Sequence, residues 1–277
     1  MAVIIDGENG INTPHINVGS SSSKYEAQVM VCAGGGGNSP NIYDDAAGSG
    51  GGGVIFQTVS LMPNTTYDII VGPGGSGANN GGNSKFSNTE SDLILLAYGG
   101  ASGGHHRTGY AGGGCGSGQG GYYSAANDYR RPGPAIPGQG FAGGTPISYR
   151  GGGGGGAGSE GTPDGNGGTG FRHPVTGEFF GGGGGGYPIS TSQLKNGYGG
   201  VGGGGNSRSG TGVGSNGVAN TGGGAGAGKG GPSYTSNGGS GIVIISYLGS
   251  PRGTGGTITS VDGYTVHKFT TSGDYIG

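Results

Sequence analysis

The sequence predicts an all-β protein with almost no α-helix: a β-sandwich carrying a long glycine-rich insertion that forms a bundle of polyglycine II helices. Three observations predict it. Glycine supplies 82 of the 277 residues and comes in runs such as 151–156, 181–186 and 202–205. Short β-branched or continuously apolar segments stand before and after the glycine-rich block. No segment has the spacing of an amphipathic helix.

Taken in chain order, residues 1–23 read as an N-terminal docking segment and residues 24–98 as the first part of the sandwich. Strands are expected at 26–33, 53–61, 66–71 and 92–98, where valine, isoleucine, leucine and tyrosine concentrate. Met62-Pro63-Asn64-Thr65 favours a tight reversal, so the second and third strands are expected to form a hairpin. Residues 99–240 are the insertion. Residues 241–277 bring a returning strand at 241–248, followed by β-like stretches at 256–260 and 264–270.

Ordering glycine costs more backbone entropy than ordering any other residue, so runs this long are either disordered or held by something only glycine permits. The left-handed threefold helix rises about 3.1 Å per residue and makes no internal hydrogen bonds. Without Cβ atoms, such helices pack side by side and satisfy their N–H and C=O groups on one another. Collagen is excluded because Gly-X-Y fails at every run and 13 prolines are too few. Disordered chains carry high charge, whereas only 9% of these residues are charged.

A net charge of −2 argues against nucleic-acid binding, which needs clustered lysine and arginine. No apolar run approaches the ~20 residues of a membrane span, and residues 1–6 lack the pattern of a secretory signal. Cys32 and Cys115 are either reduced and buried or paired. Enzyme motifs fail on context. Gly223, Gly228 and Lys229 approximate a phosphate-binding loop, but Gly230 stands where a magnesium-binding Ser or Thr belongs. Ser102 within residues 100–104 matches a nucleophile elbow without the helix that must follow it. His15, His105, His106, His173 and His267 show no ligand spacing, so neither metal nor cofactor is expected. Glu160, Asp164 and Glu178 are the nearest carboxylates for glycan hydrolysis.

The glycine runs are interrupted at 105–110, 122–150, 171–180 and 187–198 by tyrosine, phenylalanine, arginine, histidine, asparagine and aspartate. Side chains do not fit inside a close-packed polyglycine lattice, so these residues are expected to project from its ends or rim. The candidates are His105, Tyr110, Tyr122, Tyr123, Tyr129, Arg130, Tyr149, Phe179, Phe180, Tyr187 and Tyr198. Tyrosine-rich loops give large contact at low entropy cost, with a ring stacking on a sugar while Asn, Asp or Arg bonds its hydroxyls. The alternative is that these aromatics fill contacts between subunits or cover the bundle.

Residues 29–33 followed by glycines 34–37, then Val59-Ser60-Leu61 with Pro63, then Tyr67 through Gly75, and finally 241–245, resemble the glycine-rich domains of bacteriophage tail and virion proteins. A sandwich with inserted polyglycine helices is similar to the glycine-rich region of the anaplastic lymphoma kinase receptor family. The bundle alone is similar to the adhesin that tips the long tail fibres of T-even-like phages. The opening Ala2-Val3-Ile4-Ile5-Asp6-Gly7 also resembles the start of many phage tail proteins.

The resemblance implies a non-enzymatic, homo-oligomeric virion protein assembled in the host cytoplasm, most simply a tail or tail-fibre component. Its partners would be other virion proteins and a host surface glycan or outer-membrane protein. A capsid-decorating or adaptor role is the alternative. In related repeats a segment like 263–270 opens a further domain. Tyr264, Val266, Phe269 and Tyr275 are therefore expected on an assembly strand that adds to a sandwich edge of its own chain or of an adjoining protomer.

Overall fold

The computed structural model describes residues 23–39, 46–103, 113–118, 131–145, 151–187, 196–230 and 234–277. Its strands are β1 (Tyr25–Cys32), β2 (Val54–Leu61), β3 (Thr66–Ile70), β4 (Ser84–Asn88), β5 (Leu93–Ala97), β6 (Phe171–Arg172), β7 (Phe179–Phe180), β8 (Ile242–Leu248), β9 (Thr257–Val261), β10 (Tyr264–Phe269) and β11 (Gly273–Ile276). The one helical element among the described residues is a 3-10 turn at Thr89–Ser91.

Two antiparallel sheets make the sandwich, one ordered β2-β1-β8-β10-β9 and the other β11-β3-β4-β5. Alternation along β1 sends Ala27, Val29 and Val31 inward, where they meet Val243 and Ile245 of β8 and Tyr67, Ile69, Phe86 and Leu95 of the opposite sheet. Met30 and Cys32 face the other way into a second cluster with Ile244, Val266 and Phe180. Both faces of the second half of β1, residues 29–32, are buried and that half is continuously apolar, whereas Glu26 is exposed and Gln28 half-buried in the first half.

The turn at 62–65 does not make a hairpin. β2 and β3 lie in different sheets, so the reversal crosses the sandwich. Asn64 takes the left-handed conformation there (φ 57°), and its N–H donates to the carbonyl of Gly277 at 2.7 Å. Strand β4 was not expected from sequence, because Ser-Lys-Phe-Ser-Asn has one apolar residue. The single edge-adding strand expected to carry Tyr264 through Tyr275 is instead two: β10 lies inside the five-stranded sheet and β11 forms the edge of the other.

The glycine runs form a lattice with a period of three. Ala33 and Gly36 donate to Gly53 and Gly50; Gly34 and Gly37 donate to Gly82 and Asn79; Gly35 and Asn38 donate to Gly239 and Ser236. Carbonyls of the same segment accept from Gly100 and Gly103, from Gly75 and from Ala225, so six other segments surround it. Donors three residues apart reaching one neighbour are what three residues per turn produces. The run at 181–187 is surrounded likewise, donating to 46–49, 202–205 and 165–168 and accepting from 151–157, 224–227 and Gly200.

Glycine is needed here for space. No glycine in 151–156 or 182–186 lies in the left-handed region. A Cβ on Gly153 would stand 1.9 Å from the carbonyl oxygen of Asn166, and one on Gly184 1.9 Å from that of Ala225. The bundle also extends beyond the predicted insertion: segments 33–38, 46–53, 72–75 and 79–82, which lie between sandwich strands, are part of it.

Candidate functional site

Each bundle segment runs toward or away from the sandwich. Residues 33–38 leave β1, residues 46–53 return into β2, and the pattern repeats to residues 234–241, which lead into β8. Ala46, Gly151 and Tyr187 are joined to one another at the end far from the sandwich, by Tyr187 N–H to Ala46 and Gly151 N–H to Tyr187, both 2.9 Å. His105, Tyr110, Tyr122, Tyr123, Tyr129, Arg130 and Tyr149 lie outside the described residues. The described residues that flank 40–45, 119–130, 146–150, 188–195 and 231–233 all belong to this far end.

The lattice has a rim, and the segment 196–200 is part of it. Its N–H groups have lost a neighbour on one side, and side chains replace it. Gly197 donates to Ser207 Oγ at 2.7 Å, Tyr198 to Asn166 Oδ1 at 3.0 Å, and Gly199 to Asn206 Oδ1 at 2.8 Å, while Gly200 still reaches the Gly183 carbonyl. Asn196 Oδ1 accepts from Ser209 N–H at 2.7 Å. On this scaffold Tyr198 is 64% exposed, between Gly197 and Gly199, which carry no side chains. The other rims use the same device. Asn80 and Asn83 accept from Ser102 and Gly99, and Asn216 accepts from Asn237.

The remaining described candidates do not join Tyr198. Tyr187 is buried rather than projecting; its ring packs with Ala46 and Ala227, and its hydroxyl accepts from Gly210 N–H. Phe179 and Phe180 belong to a short hairpin, β6–β7, that leaves the bundle and lies on the outer face of the five-stranded sheet. Phe180 is 4% exposed there, so it is a packing residue. Phe171 and His173 lie against Phe56, and Lys268 Nζ of β10 meets Glu178 Oε2 at 2.6 Å. Beside this hairpin runs a groove of about 490 Å³ lined by Phe179, Phe180, Val201, Val218 and Ile242.

Burial lowers the His173 pKa to about 4, and its Nδ1 accepts from Thr176 N–H at 3.2 Å while the buried Nε2 has no partner. Burial would raise the Glu178 carboxyl, but hydrogen bonds from Lys268 and Thr176 outweigh it and hold the group below its ordinary value. Glu160 and Asp164 lie on the bundle, away from this pair.

Val266, Phe269 and Tyr275 are buried and Tyr264 half-buried in the chain's own sheets, with β10 paired to β8 and β9 and β11 paired to β3. Tyr275 Oη meets Tyr25 Oη at 2.5 Å, and Tyr247 Oη meets His267 Nε2 at 2.9 Å. Both cysteines are unpaired and buried. Burial raises both thiols, Cys115 to about 12, which leaves them unreactive. Among the described residues no three of His, Cys, Asp and Glu gather as a metal site, and no helix is long and apolar enough to cross a membrane.

Of the aromatics expected to project, Tyr198 is exposed at the rim; the asparagines that anchor this rim, Asn166, Asn196 and Asn206, were not among the expected residues. The readable signal was an asparagine at the border of a glycine run, where the lattice must find an acceptor outside itself.

Fold and rim together define a class: a β-sandwich whose strands are continued by a polyglycine lattice sealed at its rim by asparagine. The chain belongs to the glycine-rich domain family, whose profile matches residues 14–248. No curated protein matches it.

Proposed function

We propose that this protein is a non-enzymatic structural component of a phage virion, in a tail or tail fibre, with the far end of the bundle turned toward the host surface. The supporting observation is the polarity of the lattice. The sandwich occupies one end, and the flanks of five tyrosine-, arginine- or proline-bearing connections occupy the other. A rigid lattice fixes the described residues at which those connections begin and end, and binding loops on rigid scaffolds are how recognition is commonly built.

The test is adsorption of particles carrying Tyr129→Ala or Tyr198→Ala. Particles that assemble normally but adsorb poorly support the reading. Reduced assembly, with normal adsorption by those particles that do form, supports the decorating or adaptor role, which the open outer edge of β9 and the exposed Ile258 on it also favour.

A further inference from the structure

We infer that the Tyr198 face of the bundle rim is a subsite for a neutral, hydroxyl-rich sugar; this rests on the host-contact reading and gives it a ligand class. Tyr198 presents an exposed ring on a backbone fixed by hydrogen bonds on both flanks, so its placement costs little entropy on binding. Asn166 and Asn206 use Oδ1 to accept from Tyr198 and Gly199, and Asn196 uses its own to accept from Ser209. Each amide therefore keeps its NH2 group as a donor pair.

An exposed ring on a rim that also carries three amide NH2 groups suits a pyranose, whose C–H face stacks on the ring while its hydroxyl oxygens accept. The side chains that build the subsite are uncharged, which favours a neutral sugar over an acidic one. Gly197, Gly199 and Gly200 offer no side chains to interdigitate with a protein knob, which disfavours a protein surface as the occupant.

The experiment is saturation-transfer NMR on the full chain, irradiating aromatic protons and observing sugar C–H signals. The probes are lipid-free O-polysaccharides of neutral hexoses, each paired with its periodate-cleaved form. Transfer to an intact polymer is expected, and Tyr198→Ala should abolish it and weaken binding by about tenfold or more. Tyr198→Phe should stay within about threefold, because the ring is kept. Asn206→Asp keeps the oxygen that Gly199 needs but removes the NH2 donors, and should weaken binding several-fold with the melting temperature unchanged.

Absence of transfer to every intact polymer, or equal binding by Tyr198→Ala, overturns the proposal. Loss of host adsorption in Tyr198→Ala without any sugar transfer also overturns it, and points to a protein partner while leaving host contact standing. Sugar binding that disappears in Tyr198→Ala while adsorption stays normal supports the subsite and removes the host-contact reading.

Discussion

A single missing methyl group decides most of this structure. Gly153 and Gly183 lie where a Cβ would meet backbone oxygens at 1.9 and 2.1 Å, and backbone held by its own hydrogen bonds does not yield. Gly153→Val and Gly183→Val should each cost at least the 1–3 kcal/mol of ordinary overpacking, visible as a lowered melting temperature. Gly273→Ala is the control. Nothing lies within 4 Å of its Cβ position and its φ is outside the left-handed region, so reduced freedom of the unfolded chain should stabilise by about 0.4–1 kcal/mol.

Two histidines make stability depend on pH in one direction. Burial holds His173 and His267 below the ordinary 6.5, His173 at about 4. The unfolded chain therefore takes up protons first, so stability is full above pH 6.5 and falls as pH drops toward 4. His173→Gln should flatten part of that slope in denaturant titrations from pH 7 to pH 4.

Between residue and fold, the β6–β7 hairpin shows how an insertion comes to cover its host. The outer face of the five-stranded sheet carries Met30, Phe56, Ile244 and Val266, and the hairpin covers it with Phe171 and Phe180. Phe180→Ala should cost about 3–5 kcal/mol by leaving a cavity. Lys268→Ala removes a half-exposed ion pair and should cost no more than about 1 kcal/mol. Chemical denaturation of the two variants separates packing from charge.

Elements built on apolar pattern were legible in the sequence, as β1, β2, β3, β5 and β8 were. Those fixed by their partners were not. Strand β4 is a strand because β3 and β5 flank it, and the burial of Phe180 is not legible locally because its partners on the sheet lie some 150 residues earlier and 60 later in the chain. Tyr198 was legible as an aromatic among glycines. The amides around it were not, since their role depends on which N–H groups the lattice leaves at its rim.

At the scale of the molecule, sandwich and bundle are one object. Segments 33–38, 46–53, 72–75 and 79–82 are bundle helices that also link sandwich strands, so neither part can be removed intact. One cooperative unfolding transition is expected by calorimetry, with calorimetric and van't Hoff enthalpies equal. Deleting residues 254–277 removes β10 from inside one sheet and β11 from the other, exposing Tyr67, Ile69 and Val243. The truncated chain should be insoluble, read as loss of the soluble fraction on expression.

The asparagines at the rim bear on how the protein ages. Asn80, Asn166, Asn196, Asn216 and Asn237 each precede a glycine, the pairing most prone to deamidation because the unhindered glycine nitrogen can attack the side-chain amide. That nitrogen is occupied in every case: Gly81 donates to Gly100, Gly167 to Tyr198, Gly197 to Ser207, Gly217 to Asn237 and Gly238 to Gly75. The attack needs those hydrogen bonds broken and the extended backbone bent back on itself. The fold therefore acts as a preservative, and the rim would stay chemically intact for as long as the lattice holds.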